Sequence, residues 1–140
     1  SLFCRLIIFF VYCYAMAQNE KQQQEKLELI KDSIKYLENR GYTNIKAEID
    51  GYEAPKGFQE QNSDLVIAPH IVGERAGVKH YFNISLKTEN EELLRSKWKF
   101  FETITSMREQ RFNVFTKRGH FKFTEEMLDS LNLQKDYIKL

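Results

Sequence analysis

Residues 64–87 read DLVIAPHIVGERAGVKHYFNISLK, and this stretch decides the expected fold. A run of strand-favouring residues begins at Asp64 and stops at Pro69. After a glycine-containing turn, residues 79–87 predict another strand. We expect the two strands to pair, so that Asp64 at the start of one lies beside Lys87 at the end of the other.

Side chains alternate between the two faces of a strand, so residues 79–87 divide into two sets. The mainly apolar set is His80, Phe82, Ile84 and Leu86. The mainly polar set is Tyr81, Asn83, Ser85 and Lys87. We expect the first set to face the core and the second to form a polar face.

The segments before this stretch predict a helix and a strand. Residues 20–40 carry apolar residues at helical spacing among Lys, Glu and Gln, and Gly41 is placed to end that helix. Residues 45–49 then alternate between apolar and charged, which is typical of a half-buried strand. A polar, glycine-containing loop connects this strand to Asp64.

The segments after this stretch predict a second helix, a fourth strand and a short terminal helix. Asn90 is a candidate N-cap for a helix that runs to about residue 110. Residues 112–117 (FNVFTK) read as a fourth strand, and residues 120–123 (HFKF) as a fifth element of unassigned type. A short helix follows, for which Thr124 is the expected N-cap.

Length and composition indicate one α/β domain. The chain has 140 residues, of which 42% are hydrophobic, including eleven Phe and seven Tyr, so it can form one sizeable core. The net charge of +1 favours no class of partner. The two cysteines lie in the first fifteen residues, and no Cys/His pattern has zinc-ligand spacing, which argues against a disulfide scaffold and a structural zinc site.

Residues 2–17, LFCRLIIFFVYCYAMA, form an apolar segment that we treat separately from the domain of residues 18–140. The segment has the outline of a secretory signal peptide, and a membrane anchor is a second interpretation. A third is an over-extended gene start, because a polar, helix-favouring run follows Met16. The protein is expected to be cytoplasmic if translation starts at Met16, or exported through residues 1–17. The folded domain is expected to need no membrane.

The order of elements and the motif block resemble the αβββαβ core of the PD-(D/E)XK nuclease superfamily. The resemblance lies in NSDLVIAPHI (62–71), KHYFNISLKTEN (79–90), the Trp-bearing helix and FNVFTK, and it covers about residues 22–117. It implies a restriction-endonuclease-like fold, with a small mixed sheet flanked by helices. It also implies metal-dependent hydrolysis of DNA or RNA, with Mg²⁺ as the ion, Mn²⁺ as a substitute and no small-molecule cofactor.

The resemblance implies a set of site residues. Asp64 matches the first acidic position and Lys87 the motif lysine, while Ser85 stands where the second metal-holding Asp or Glu is expected. Ser63 replaces the proline before the aspartate. The expected catalytic residues are Asp64, Ser85 and Lys87. The candidate metal ligands are Asp64, Glu25, Glu28 and Glu89, with Glu48 and Asp50 as further carboxylates that a weakened site would draw on.

Each of these residues also has an ordinary structural interpretation. Asp64 is suited to capping a turn, Lys87 to the solvated end of a strand, and Glu25 and Glu28 to ion pairs on a helix surface. Trp98 is more typical of a core anchor than of a base-stacking platform. If these interpretations hold, the fold is that of a catalytically inactive binding or interaction module.

A local excess of basic residues follows the third predicted strand. Between Arg95 and Lys122 there are eight Lys or Arg and two Glu. Such clusters provide the sequence-independent part of nucleic-acid affinity, although a helix that packs one face on a core also solvates the other with Lys and Arg. The candidate nucleic-acid-binding residues are Arg95, Lys97, Lys99, Arg111, Lys117 and Arg118.

Overall fold

A computed structural model describes residues 2–59, 61, 64–133 and 136–140. Ser63, the residue expected before the acidic position, lies outside these described residues. The helices are α1 (Leu2–Asn39), α2 (Glu91–Met107) and α3 (Phe121–Ser130). The strands are β1 (Thr43–Ala47), β2 (Phe58–Gln59), β3 (Val66–Ile67), β4 (Ile71–Arg75), β5 (Val78–Ile84), β6 (Arg111–Thr116) and β7 (Ile138–Lys139).

Five of these strands form one mixed sheet in the order β1-β4-β5-β6-β7. The pairs β1–β4 and β4–β5 are antiparallel, whereas β5–β6 and β6–β7 are parallel. Helix α2 is the crossover between the parallel strands β5 and β6. The α/β class and the mixed sheet flanked by helices are therefore as expected. The remaining strands, β2 and β3, pair with each other in a separate small sheet.

The sheet is covered on both faces. Leu29, Ile30, Ile34 and Leu37 of α1 pack with Phe82, Ile84 and Phe115 on one face. Leu94, Trp98 and Phe101 of α2 and Met127 and Leu128 of α3 pack with Tyr81, Phe112 and Val114 on the other. The expectation of a polar face on β5 is therefore wrong for Tyr81, Asn83 and Ser85, all of which are buried beneath the second layer of helices.

The second strand of the sheet is not the one expected from the sequence. The run that begins at Asp64 forms only the two-residue β3, and its partner is β2 rather than β5. The strand that pairs with β5 is β4, which begins after Pro69. Gly73 belongs to β4 and not to a turn. A Cβ atom at this position would come within 3.3 Å of the Tyr42 ring.

The boundaries of the helices partly match the sequence patterns. Asn90 caps α2 as expected, because its Oδ1 accepts a hydrogen bond of 3.1 Å from the backbone N–H of Leu93. Gly41 follows α1 with a φ of +82°, as a C-terminal cap requires. The separate element expected at residues 120–123 is wrong, because these residues belong to the start of α3, which begins at Phe121. Thr124 lies inside that helix rather than at its N-cap.

Helix α1 has two halves with different surroundings. Its buried residues all lie between Leu29 and Leu37, whereas large apolar side chains from Leu2 to Met16 are exposed. By length and composition α1 could cross a membrane: an 18-residue window has a mean hydropathy of 1.4, and none of it is buried. A secretory signal and a membrane anchor share these properties.

Removal of residues 1–17 should leave the stability of the domain unchanged, because residues 2–17, the described part of this segment, are all exposed. We expect the thermal midpoint of the shortened chain to stay within about 2 °C of the value for the 140-residue chain. A loss of about 1 kcal/mol would lower the midpoint by about 4–8 °C in a domain of about 60–100 residues and by about 2–4 °C in one of about 150–250 residues. Circular dichroism melts measure this directly. A matched deletion through Ile30 removes two core residues and should prevent folding. A large loss of stability in the shorter deletion would contradict the division of α1.

Candidate functional site

The β4–β5 hairpin carries two buried polar residues that face each other near its open end. His70 precedes β4 and lies next to Asn83 of β5; its backbone N–H points to Phe82 O at 3.1 Å and Asn83 Oδ1 at 3.2 Å. The backbone N–H of Ile84 donates to His70 Nδ1 at 3.1 Å. These side chains therefore hold the ends of the two strands together.

The buried position of His70 determines its protonation. Only 3% of the residue is exposed, and burial, followed by the charges of Lys26 and Lys97, lowers its pKa to about 3. Since Nδ1 accepts a hydrogen bond, the neutral ring carries its proton on Nε2. His70 is therefore a neutral structural acceptor at physiological pH.

Ser85 directly follows β5, two residues after Asn83, and is fully buried. Its hydroxyl lies 2.7 Å from the hydroxyl of Thr124 in α3, which in turn lies 3.1 Å from the hydroxyl of Thr116 in β6. Thr116 Oγ1 also donates to Ser85 O at 2.9 Å. The Ser85 hydroxyl thus joins the sheet to α3, and it is not open to a metal ion.

A second group of polar residues lies where β5 and β6 end. The backbone N–H of Lys87 donates to His120 Nδ1 at 3.0 Å, and His120 Nε2 lies 2.6 Å from Glu25 Oε1. Because Nδ1 is an acceptor, Nε2 carries the proton and donates to the Glu25 carboxylate. The Lys117 ammonium lies 3.6 Å from the same carboxylate oxygen. Through His120 this group connects α1, the end of β5 and the start of α3.

The structure brings together some of the expected metal ligands but not others. Glu25, Glu89 and Lys87 all lie at this end of the sheet, where the Glu89 carboxylate is 3.8 Å from the Lys26 ammonium. Glu28 is exposed on α1 and accepts a hydrogen bond of 3.2 Å from Gln24 Nε2. Asp64 is exposed in a bend before β3, and since β3 pairs with β2, its strand is not adjacent to β5.

These residues do not fit the octahedral oxygen site that Mg²⁺ requires. Glu25 and Glu89 face cations, while Ser85 has a hydrogen-bonded, neutral oxygen. Within the described parts of the chain, no ion pair joins Asp64 to Lys87, and no three His, Cys, Asp or Glu side chains come close enough together to hold a metal ion. We therefore assign no catalytic step to a metal.

The expected nucleic-acid-binding residues do not form one surface. Arg111 begins β6 and Lys117 follows its end, so about 20 Å of strand separates them. Arg95 bonds to Glu91 and Ser130 on the outer side of α2 and α3. Lys99 is exposed on α2. The charge of Lys97, on the same helix, contributes to the lowered pKa of His70.

Four cations and two carboxylates surround the ends of the parallel strands β5 and β6. We call this set the carboxyl-end surface; it consists of Lys26, Lys87, Lys117, Arg118, Glu25 and Glu89, with His120 beneath it. Ligands of open α/β sheets bind at the carboxyl ends of parallel strands. Its position and its excess positive charge make this surface the candidate functional site.

His120 is the residue of this surface that the sequence patterns missed as a partner. It is 5% exposed, and its partner Glu25 lies 95 positions earlier in the chain. No local pattern marks such a contact. Comparisons with protein-family models, curated proteins and solved structures give no match to this chain.

Replacement of His70 by Asn should reduce the acid sensitivity of the fold. The unfolded chain binds a proton at His70 below about pH 6.5, whereas the folded chain binds it only near pH 3, so this group lowers stability as pH falls through that window. The expected contribution is up to about 1.4 kcal/mol per pH unit. Asn retains an acceptor but does not titrate. Urea unfolding between pH 7 and 4 measures the difference.

The stability advantage of the wild type over His70→Asn should therefore shrink steadily as pH falls, because carboxylates titrate equally in both proteins. His80→Asn is the matched control, since His80 is only half-buried and should show a smaller effect. Parallel curves for wild type and His70→Asn across the window would contradict this account of His70.

Proposed function

We propose that this chain is a DNA- or RNA-binding module that is built on a restriction-endonuclease-like core and does not hydrolyse phosphodiesters. Two observations support the core: the sequence resemblance to PD-(D/E)XK nucleases, and a main sheet whose elements follow in the order helix, three strands, helix, strand. The proposal corresponds to the catalytically inactive alternative drawn from the sequence.

The chemistry of the β4–β5 hairpin supports the absence of cleavage. In the nuclease family that the sequence resembles, a hairpin presents an acid on its first strand and a (D/E)-x-K pair on its second. The paired hairpin of this chain has His70 directly before its first strand, Asn83 on the second strand and Ser85 directly after it. All three are buried and hydrogen-bonded, and none carries negative charge for a hard cation at neutral pH.

The carboxyl-end surface is the single observation that supports binding of a polyanion. Lys87 and Arg118 are exposed there, and Lys26 and Lys117 lie beside them, each paired with one carboxylate. Exposed cations of this kind contact phosphates and release counterions. Lys117 and Arg118 were expected as nucleic-acid-binding residues, and Lys87 changes from a catalytic role to a phosphate contact in this proposal.

The competing proposal is a metal-dependent nuclease that uses Asp64 with an accessory glutamate, Lys87 and Mg²⁺ or Mn²⁺. It requires the exposed Asp64 segment to approach Lys87, although β3 is paired with β2. Cleavage that is lost in both Asp64→Ala and Lys87→Ala would support it. The two proposals therefore differ in a measurable activity.

The double variant Lys87→Ala/Arg118→Ala should bind nucleic acid about tenfold more weakly than the wild type. The slope of log K against log salt concentration should also become shallower by about 1.4–1.8, because the double variant loses two phosphate contacts and each contributes about 0.7–0.9. Fluorescence anisotropy with labelled single- and double-stranded DNA and RNA measures both quantities. The titrations are repeated at salt concentrations from about 50 to about 300 mM. The same substrates with Mg²⁺ or Mn²⁺ should remain intact.

The matched control is Arg75→Ala/Arg111→Ala, which removes two exposed cations from the opposite end of the sheet. It should keep the wild-type affinity and salt slope. An equal loss in both double variants would mean that binding follows net charge rather than this surface. Cleavage by the wild type that disappears in Asp64→Ala would overturn the non-catalytic proposal.

A further inference from the structure

A cleft lies on the α2 side of the sheet, away from the carboxyl-end surface. Helix α2 packs on β5 and β6, while the short strand β2 stands over the part of this face near β1 and β4. Lys46, Val72 and Tyr81 follow one another across three neighbouring strands and line the cleft. Its volume is about 690 Å³, within the usual range for small-molecule sites.

The cleft has more positive than negative charge. Four cations line it, Lys46, Lys56, Lys79 and Arg108, together with two carboxylates, Glu53 and Glu74. Glu53 lies 3.9 Å from the Lys46 ammonium, and Glu74 accepts a hydrogen bond of 2.9 Å from Asn44 Nδ2. Both carboxylates are thus already engaged by groups of the protein.

Lys56 and Lys79 are the cations available to a ligand. Both are exposed, and within the described residues neither has an ion-pair partner. They approach the cleft from different elements, since Lys56 precedes β2 and Lys79 lies in β5. An anionic group between them would gain two charge-assisted contacts without displacing a carboxylate.

The inner wall of the cleft combines apolar surface with one unused acceptor. Phe58 and Val72 provide the apolar part, and the guanidinium of Arg108 lies 5.6 Å from the centre of the Phe58 ring. The side chain of Gln110 is hydrogen-bonded to Tyr81, but its buried Oε1 has no partner among the described residues.

We propose that this cleft binds a small organic anion, in which a phosphate or carboxylate group lies between Lys56 and Lys79 and an apolar ring lies against Phe58 and Val72. This site is separate from the carboxyl-end surface, so it is independent of the proposed binding of nucleic acid.

The protein is titrated separately with four probes, and binding is monitored by ¹H–¹⁵N chemical shifts. The probes are phenyl phosphate, benzoate, inorganic phosphate and phenol. Phenyl phosphate or benzoate should bind saturably, at least about tenfold more tightly than inorganic phosphate or phenol, because only the former pair the anion with the ring. The shifts should be confined to the residues that line the cleft. The better of the two anions identifies the charged group of the ligand.

Lys56→Ala/Lys79→Ala should weaken that binding about tenfold or more, since both contacts with the anion are lost. Lys87→Ala/Arg118→Ala, at the carboxyl-end surface, is the control and should bind like the wild type. Three results would overturn the proposal: no saturable binding of either ring-bearing anion at millimolar concentration, equal affinity for inorganic phosphate, or equal weakening in both double variants.

Discussion

The burial of β5 on both faces is the constraint on which the rest of the structure depends. Phe82 and Ile84 are buried against α1, while Asn83 and Ser85 are buried beneath α2 and α3. A buried polar group must be hydrogen-bonded or its desolvation is uncompensated. Asn83 Oδ1 and the Ser85 hydroxyl meet this requirement through His70 and Thr124, whereas the buried Nδ2 of Asn83 has no partner among the described residues. Asn83 and Ser85 therefore serve the fold.

The side chains that a ligand could contact therefore lie at the two ends of β5. Beyond Ser85 the chain emerges at Lys87, where the carboxyl-end surface begins, and before Tyr81 it emerges at Lys79, on the edge of the cleft. In both places the cover of helices stops and a lysine is exposed. Helix α1 contributes Glu25 and Lys26 to the carboxyl-end surface. The same helix covers Phe82 and Ile84 on one face of the sheet.

The elements with a strong local pattern could be predicted from the sequence. The second half of α1, the Asn90 cap of α2, β5 and β6 follow from apolar spacing and capping chemistry. Strand pairing could not be predicted, since residues 64–75 favour strands on both sides of Pro69 and the pairing depends on tertiary contacts. The contact of His120 with Glu25 was likewise invisible, because it depends on how α1 packs against the end of β6.

The central claim is that the end of the β4–β5 hairpin is a buried group of uncharged polar side chains, His70, Asn83 and Ser85, rather than a metal site. A calorimetric titration of the protein with Mn²⁺ tests it most directly, because Mn²⁺ prefers the same oxygen ligands as Mg²⁺. The claim predicts no saturable binding of Mn²⁺ with a Kd below about 1 mM. That Kd corresponds to a binding free energy of about −4 kcal/mol. Saturable micromolar binding that disappears on replacement of Asp64 by Ala would contradict it.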